Sequence, residues 1–162
     1  MADFKTMGSG VGSLLKENGQ TVAVAESSSG GVISAALLAV PGASAYFKGG
    51  GAVYTSVAKQ VLMGVSDEAM AEERAATEVH ALHLARAVRE RLDADWGIGE
   101  TGAAGPTGNR YGNPPGHTCV GVVGPNMERA ITIQTGQTDR GINMEAFAQA
   151  ALDLLAECVK SG

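Results

Sequence analysis

Short apolar runs of strand length alternate with segments of helical periodicity along this 162-residue chain. Residues 21–26 are apolar and partly β-branched and predict a buried strand, and a helical segment over 32–40 follows a glycine-rich turn. Residues 77–93 form the clearest helix, with Thr77 as its N-cap. The alternation predicts an α/β fold: a three-layer α/β/α sandwich with helices on both faces of a central sheet.

The remaining segments complete the order α β α β α α β β β α. The last two strands are separated only by a short turn at Pro125 and Asn126, which predicts a hairpin and makes the sheet mixed but mostly parallel. The length fits one domain over 1–162. Further helices are predicted over 4–18, 56–64, 66–73 and 139–160, and further strands over 49–55, 96–102, 118–124 and 129–135.

Composition and charge narrow the class of protein. Gly contributes 23 of the 162 residues, about twice the usual share, so we expect a core of small side chains and close backbone approaches. The net charge of −5 and the lack of a basic run argue against a nucleic-acid partner. Cys119 and Cys158 lie in apolar stretches and predict core residues rather than a disulfide framework. With no signal pattern and no membrane-length apolar run, we expect a cytoplasmic protein without a membrane partner.

A serine- and glycine-rich turn over 26–31 separates the first predicted strand from its helix. Ligands gather beyond the carboxyl ends of strands in such sheets, so Ser27 is a candidate nucleophile. The field of a helix N-terminus would stabilise negative charge here, and Gly30 and Gly31 let backbone N–H groups approach a ligand. The alternative is that a serine merely caps the helix.

Tyr54 and Lys59 stand at the end of the second predicted strand and in the first turn of the next helix. A cation in a first helical turn opposes the helix dipole, and partial burial would lower its pKa further. Both effects favour the neutral amine that a general base must be. The alternative is a surface lysine beside a tyrosine at the rim of the core.

Two further segments have the pattern of binding sites. Residues 101–106, Thr-Gly-Ala-Ala-Gly-Pro, follow a strand end with small residues that suit either a binding wall or a tight structural turn. Arg140 opens the last helix, where a cation and free helix N–H groups make a phosphate site; a solvated arginine is the alternative. His80 and His83 share a helix face but lack a third ligand, so no metal site is predicted.

Taken in order, these motifs resemble the CinA C-terminal domain family of competence/damage-inducible proteins, over about residues 5–158. The segments that carry the resemblance read AESSSGG, PGASAYFKGGGAVYTSVAKQVLMGV, TGAAGP and GQTDR. The family's AES[CS]TGG motif places its serine on Ser27, and its Y-S-N-x-x-K motif places tyrosine on Tyr54 and lysine on Lys59. Its GDR motif places arginine on Arg140. Characterised members include nicotinamide-nucleotide amidase, and the family fold is a three-layer sandwich with a mixed sheet.

The resemblance implies an enzyme that deamidates nicotinamide mononucleotide to nicotinate mononucleotide and ammonia, with neither cofactor nor metal. In this chemistry Ser27 attacks the amide carbonyl, Lys59 accepts its proton, and Tyr54 relays or donates a proton. Arg140 holds the 5′-phosphate.

Many members carry a further N-terminal domain, whereas the motifs here fill nearly the whole sequence, so the chain is expected to be a stand-alone form. A homodimer is expected because small-residue faces allow close subunit contact. The substrate-binding set consists of Ser28, Ser29, Gly30 and Gly31, whose backbone supplies the oxyanion donors, with Thr101, Gly102, Gly105 and Arg140.

Three departures from the family motifs lie on the substrate side. Residues 28–29 are Ser-Ser where the family has Cys-Thr, and residues 55–56 are Thr-Ser where it has Ser-Asn. Residues 113–117 read Asn-Pro-Pro-Gly-His where the family tends to read Lys-Pro-Val-Gly-Thr, and residues 109–111 are candidates to compensate for the lost lysine. These changes leave open an alternative: a catalytically weak nucleotide-binding protein associated with competence or damage response.

Overall fold

Five strands form one mixed sheet in the computed structural model, which describes residues 3–162. In chain order they are β1 (Val22–Glu26), β2 (Phe47–Ala52), β3 (Trp96–Ala103), β4 (His117–Val123) and β5 (Glu128–Gln134). Their order across the sheet is β2-β1-β3-β4-β5. Strand β1 pairs in parallel with β2 and β3, whereas β3–β4 and β4–β5 are antiparallel. The predicted α/β fold with its late hairpin is confirmed.

The helices are α1 (Phe4–Asn18), α2 (Val32–Leu38), α3 (Ser56–Met63), α4 (Asp67–Glu72), α5 (Glu78–Arg91) and α6 (Arg140–Ser161), with a short 3-10 turn at Ala43–Ala45. Each predicted segment is found, but three helices, α3, α4 and α5, lie between β2 and β3 where the predicted order had two, because residues 67–72 form a helix of their own. The side chain of Thr77 accepts the N–H of His80, as predicted for the N-cap of α5. Strand β2 differs from the prediction of 49–55. Because Thr55 caps α3 by accepting the N–H of Ala58, the chain leaves the sheet before Tyr54.

Two apolar layers cover the sheet. Side chains alternate across a strand, so Val22 and Val24 of β1 join the core formed with α1, α2 and α6, whereas Ala23 and Ala25 join the core that includes α3 and α5. Trp96 is buried in the first layer. Burial of apolar surface on both faces supplies the main driving force for this arrangement.

Glycine allows helices to lie directly against their neighbours, as the composition predicts. A Cβ added at Gly99 of β3 would stand 2.0 Å from the carbonyl oxygen of Ala81 in α5. A Cβ at Gly8 of α1 would stand 2.1 Å from the carbonyl oxygen of Ala36 in α2. The two cysteines are buried and free, which confirms their prediction as core residues.

The parallel strands β1, β2 and β3 bring three connections to one edge of the sheet. The turn over 27–31 leaves β1, residues 53–55 lead from β2 into α3, and a loop over 104–116 leaves β3. This edge is where an open α/β sheet binds its ligands. No helix within residues 3–162 is long and apolar enough to cross a membrane.

Candidate active site

Ser27 follows β1 directly and is only 7% exposed. The turn after it uses two left-handed residues, Gly30 with φ +67° and Gly31 with φ +103°, a conformation that glycine adopts without strain. Gly31, which has no side chain to offer, is the N-cap of α2. The alternative role for the serines as the helix cap is therefore wrong, and the Ser27 hydroxyl has no bond to an acceptor within residues 3–162.

Glu100 organises the serine turn from the middle of the sheet. This β3 carboxylate is fully buried, and its Oε1 accepts the backbone N–H groups of Ser27 and Ser29, each at 2.9 Å. The hydroxyls of Ser28 and Ser29 also donate to Glu100, as does the hydroxyl of Thr118 at 2.6 Å. Five donors around one buried carboxylate hold its negative charge and fix the turn.

Glu26 ties the same turn to helix α2. Its carboxylate, also fully buried, accepts the Ser29 hydroxyl at 2.6 Å and the backbone N–H groups of Ile33 and Ser34 at 3.1 and 3.0 Å. The hydroxyl of Ser34 adds a further bond at 2.8 Å. The side chain of Ser29 thus bridges two buried carboxylates and is not free to contact a substrate.

Two backbone N–H groups of the turn have no acceptor. The N–H of Ser29 donates to Glu100, and that of Gly30 donates to the carbonyl of Ser27 at 3.1 Å. Within residues 3–162, the N–H groups of Ser28 and Gly31 find no acceptor. Of the four predicted oxyanion donors, these two remain available to a ligand.

Lys59 is buried within reach of the negative charge of Glu100. Its side chain lies on α3 and only 3% of the residue is exposed, so the alternative of a surface lysine is wrong. No described residue forms a hydrogen bond or ion pair with its amine. Burial lowers the pKa of Lys59 from 10.5, and the negative charge of Glu100 opposes this effect.

His80 lies near this lysine and is neutral. It is fully buried on α5, and neither ring nitrogen has a hydrogen-bond partner in the described part of the chain. Burial is the main cause that lowers the pKa of His80 to about 3, and the positive charges of Lys59 and His83 add to it. The imidazole therefore adds no positive charge beside Lys59 at neutral pH.

Arg140 connects the ends of β2 and β3 to helix α6. Its Nη2 donates to the Tyr54 hydroxyl at 3.2 Å, and its Nη1 donates to the Gly105 carbonyl at 2.5 Å. Arg140 is exposed, as in the alternative of a solvated arginine, but these two bonds hold its guanidinium in place. Tyr54 is 61% exposed, and its hydroxyl bonds neither Ser27 nor Lys59. Its predicted part in proton transfer stays a prediction.

Thr101 and Gly102 lie within β3 rather than beyond it. The Thr101 hydroxyl accepts the N–H of Ala76 at 2.9 Å, and a Cβ at Gly102 would meet the carbonyl oxygen of His117 at 2.4 Å. Their predicted contact with substrate stays a prediction. Gly105, with φ +111°, is the member of this segment that reaches Arg140.

A model of the CinA C-terminal domain matches residues 5–159. The chain belongs to this family. CinA-like proteins from Gloeobacter violaceus and Synechocystis are 40% and 44% identical to it over 95% and 98% of the chain. The chain spans 36% and 39% of the length of these two relatives. The predicted resemblance is confirmed.

Solved structures of the CinA superfamily share the fold of this CinA domain. A protein from Klebsiella pneumoniae is 22% identical, with a TM-score of 0.93 over 99% of this chain and 100% of its own. A competence/damage-inducible protein from Agrobacterium tumefaciens is 27% identical, with a TM-score of 0.89 over 99% and 97% of the two chains. A superfamily protein from Escherichia coli is 26% identical, with a TM-score of 0.86 over 97% and 93%.

The two histidines of α5 separate in the CinA domain. His83 pairs with Glu73, its Nδ1 standing 2.7 Å from the carboxylate, whereas His80 points into the core. No three His, Cys, Asp or Glu side chains of the described chain are grouped so as to hold a metal ion. A surface groove of about 580 Å³ runs along α5 past His83 and contains none of the predicted site residues.

The sequence reasoning missed Glu100. One signal was present, because a glutamate inside the run from Trp96 to Ala103, otherwise made of small and apolar residues, breaks the pattern of a buried strand. A carboxylate at such a position is almost never buried without partners. Its partners were hidden because they come from residues 27–29 and 118, far away along the chain.

Proposed function

We propose that this CinA domain is an amidohydrolase that deamidates nicotinamide mononucleotide by a metal-free Ser-Lys mechanism. The observation that carries the proposal is the burial of Lys59 without an ion pair, at the sheet edge that carries Ser27. A lysine in this state is held for its amine rather than for its charge, because an ammonium would be stabilised by a partner or by water.

The reaction needs only the groups of this edge. The Ser27 oxygen attacks the amide carbonyl as its proton passes to the Lys59 amine. The C–N bond then breaks, and Lys59 gives that proton to the departing ammonia. Water attacks the resulting ester as one of its protons passes to Lys59, which gives that proton to the Ser27 oxygen as the ester bond breaks. The acid product releases the second proton to solvent and leaves as the carboxylate. Each proton that Lys59 accepts is returned within the cycle.

The free N–H groups of Ser28 and Gly31 are the donors for the oxyanion that forms during each attack. Donors held in place before the reaction stabilise this charge without a reorganisation cost. Glu100 supplies that rigidity, because it accepts the N–H groups on either side of Ser28.

Arg140 is the anchor for the 5′-phosphate. Arg140 is the first residue of α6, where Asp139 accepts the N–H of Ile142 and the N–H groups of Arg140 and Gly141 have no acceptor among residues 3–162. The bonds from Arg140 to Tyr54 and Gly105 orient its guanidinium across the edge of the sheet. Tyr54 is therefore a positioning residue for Arg140 in this account.

The test follows the substrate and both products. Wild-type protein is incubated with nicotinamide mononucleotide, and nicotinate mononucleotide is measured by proton NMR beside released ammonia. We expect conversion by the wild type and by Ser13→Ala, a change of an exposed serine on α1, but none by Ser27→Ala. A wild type that binds the nucleotide and converts none of it would overturn the proposal in favour of a nucleotide-binding protein.

A further inference from the structure

The loop between β3 and β4 carries a rigid tip over residues 109–113. The Asn109 side-chain oxygen accepts the backbone N–H groups of Tyr111 and Asn113 at 3.0 and 3.1 Å. Its amide nitrogen donates to the side-chain oxygen of Asn113 at 3.0 Å, and the two backbones are joined at 3.2 Å. The side chains displayed by this tip are therefore fixed before any ligand arrives, which lowers the entropic cost of binding.

Two guanidinium groups meet at the tip on a single aromatic ring. The Cζ atoms of Arg74 and Arg110 lie 4.9 and 5.0 Å from the centre of the Tyr111 ring, so they are less than 10 Å apart. Arg110 also donates to the Tyr111 hydroxyl at 2.8 Å. Arg74 comes from the connection between α4 and α5 and donates to the side chain of Asn113 at 3.0 Å.

Neither guanidinium has a counter-charge. No carboxylate of the described residues forms an ion pair with Arg74 or Arg110, whereas Arg86 pairs with Glu128 at 2.6 Å. Two cations less than 10 Å apart repel each other, and an anion bound beside them reduces that repulsion. This pair is notable in a chain whose net charge is −5.

The hydrogen-bonding capacity of the cluster fits a phosphate group. A guanidinium has five N–H donors in a planar fork that matches phosphate oxygens, and each arginine uses only one of its nitrogens for its bonds here. The Tyr111 hydroxyl accepts from Arg110 and keeps its own hydrogen to donate. Arg74 is partly buried, and its bond to Asn113 holds its guanidinium at the tip.

We propose that Arg74, Arg110 and Tyr111 form a binding site for a phosphate-class anion, separate from the one opened by Arg140. The loop that carries it leaves the carboxyl end of β3, at the sheet edge that also carries Ser27. The anion is either free phosphate or the single phosphate of the substrate nucleotide, in which case this site replaces Arg140 as the phosphate anchor of the proposed function. This proposal is tested by anion binding and not by turnover. A protein without the anion site is therefore distinguishable from a protein without the proposed amidase activity.

Titration calorimetry with inorganic phosphate tests the site. We expect the dissociation constant of the wild type to rise at least tenfold in Arg74→Gln/Arg110→Gln. The matched control is Arg86→Gln/Arg129→Gln, which removes two charges from arginines that are paired with carboxylates, and it should stay within twofold of the wild type. Phosphate that does not bind the wild type, or an equal loss in both double variants, would overturn the proposal.

Two further variants keep the test decisive. Arg110→Gln alone changes a side chain whose hydrogen bond and ring contact both go to Tyr111, so it leaves the bond from Arg74 to the loop and should still weaken phosphate binding several-fold. Loss of phosphate binding in Arg140→Gln but not in Arg74→Gln/Arg110→Gln would place the anion at α6 and overturn the proposal.

Nicotinamide mononucleotide distinguishes the two sources of the anion. It is titrated into Ser27→Ala with and without Arg74→Gln/Arg110→Gln, so that turnover does not interfere. A tenfold rise in its dissociation constant assigns the single phosphate of the nucleotide to this site in place of Arg140. An effect on inorganic phosphate alone supports a site for free anion.

Discussion

The carboxylate of Glu100 accepts the backbone N–H of Ser27 at 2.9 Å, although 73 residues separate them along the chain. The same carboxylate raises the pKa of Lys59 against the effect of burial. One fully buried group therefore helps to position the candidate nucleophile and also acts on the pKa of its candidate base, which burial lowers and Glu100 raises.

Replacing Glu100 by Gln should move the pH dependence of the amidase reaction. Loss of the nearby negative charge lowers the pKa of Lys59 further, so the rise of kcat/KM with pH should shift to lower pH. The maximal rate should fall, because an amide nitrogen now faces donors of the serine turn. The measurement is kcat/KM for ammonia release across the pH range, with exposed Glu17→Gln as control. An unmoved profile in Glu100→Gln would show that Glu100 does not act on the base.

Lys59 should limit the stability of the folded protein. Burial lowers its pKa below the 10.5 of the unfolded chain, so between these two values the unfolded chain binds more protons. The free energy of unfolding should therefore rise with pH across this window, and the full penalty applies below the pKa of the folded state. Lys59→Met should raise the free energy of unfolding at pH 7 by about 1 kcal/mol. Replacing an active-site residue that destabilises the fold commonly gives a gain of this size at the expense of activity.

Urea unfolding of Lys59→Met and wild type at several pH values checks this expectation. The variant should lose the part of the pH dependence that Lys59 contributes. A variant less stable than the wild type at pH 7 would mean that the ammonium has a stabilising partner.

Arg140 and Tyr54 should act on substrate binding more than on chemistry. Arg140→Ala should raise KM for nicotinamide mononucleotide with a smaller change in kcat, because the phosphate is remote from the reacting amide. Tyr54→Phe removes the hydroxyl that Arg140 contacts and should change KM in the same direction by less. Nicotinamide riboside, which lacks the phosphate, should be a poor substrate that neither variant affects much. A Tyr54→Phe variant with lowered kcat on both substrates would support the proton-transfer role instead.

Alanine substitutions at two glycines of α1 should change the stability of the folded protein in opposite directions. A Cβ at Gly8 would stand 2.1 Å from the carbonyl oxygen of Ala36, so Gly8→Ala should cost about 1–3 kcal/mol of stability by overpacking. Gly10 has open space around it, and Gly10→Ala should gain about 0.5–1 kcal/mol from helix propensity. Thermal unfolding of the two variants measures both signs. A neutral Gly8→Ala would show that α1 and α2 separate at little cost.

Local patterns predicted the fold because each element carries its own signal. Thr77 caps α5 as expected, and the β-branched run at 22–26 is a buried strand. The site depends on contacts between distant segments, which local patterns do not encode. Arg140 and Tyr54 are 86 residues apart, and only the folded chain brings them together. The strand–turn boundary at Thr55 was missed because a cap bond outweighed the apolar pattern.

Ammonia release from nicotinamide mononucleotide by Lys59→Arg, measured beside wild type and Ser27→Ala, shows whether Lys59 acts as the base for Ser27. Arginine keeps the positive charge but cannot give up its proton, so it cannot serve as a base. The account predicts that the wild type releases ammonia and that Lys59→Arg loses on the order of a thousandfold in rate. Ser27→Ala should lose at least as much. A Lys59→Arg protein that retains activity within about tenfold of the wild type would contradict the Ser-Lys mechanism, since general-base catalysis contributes more than that.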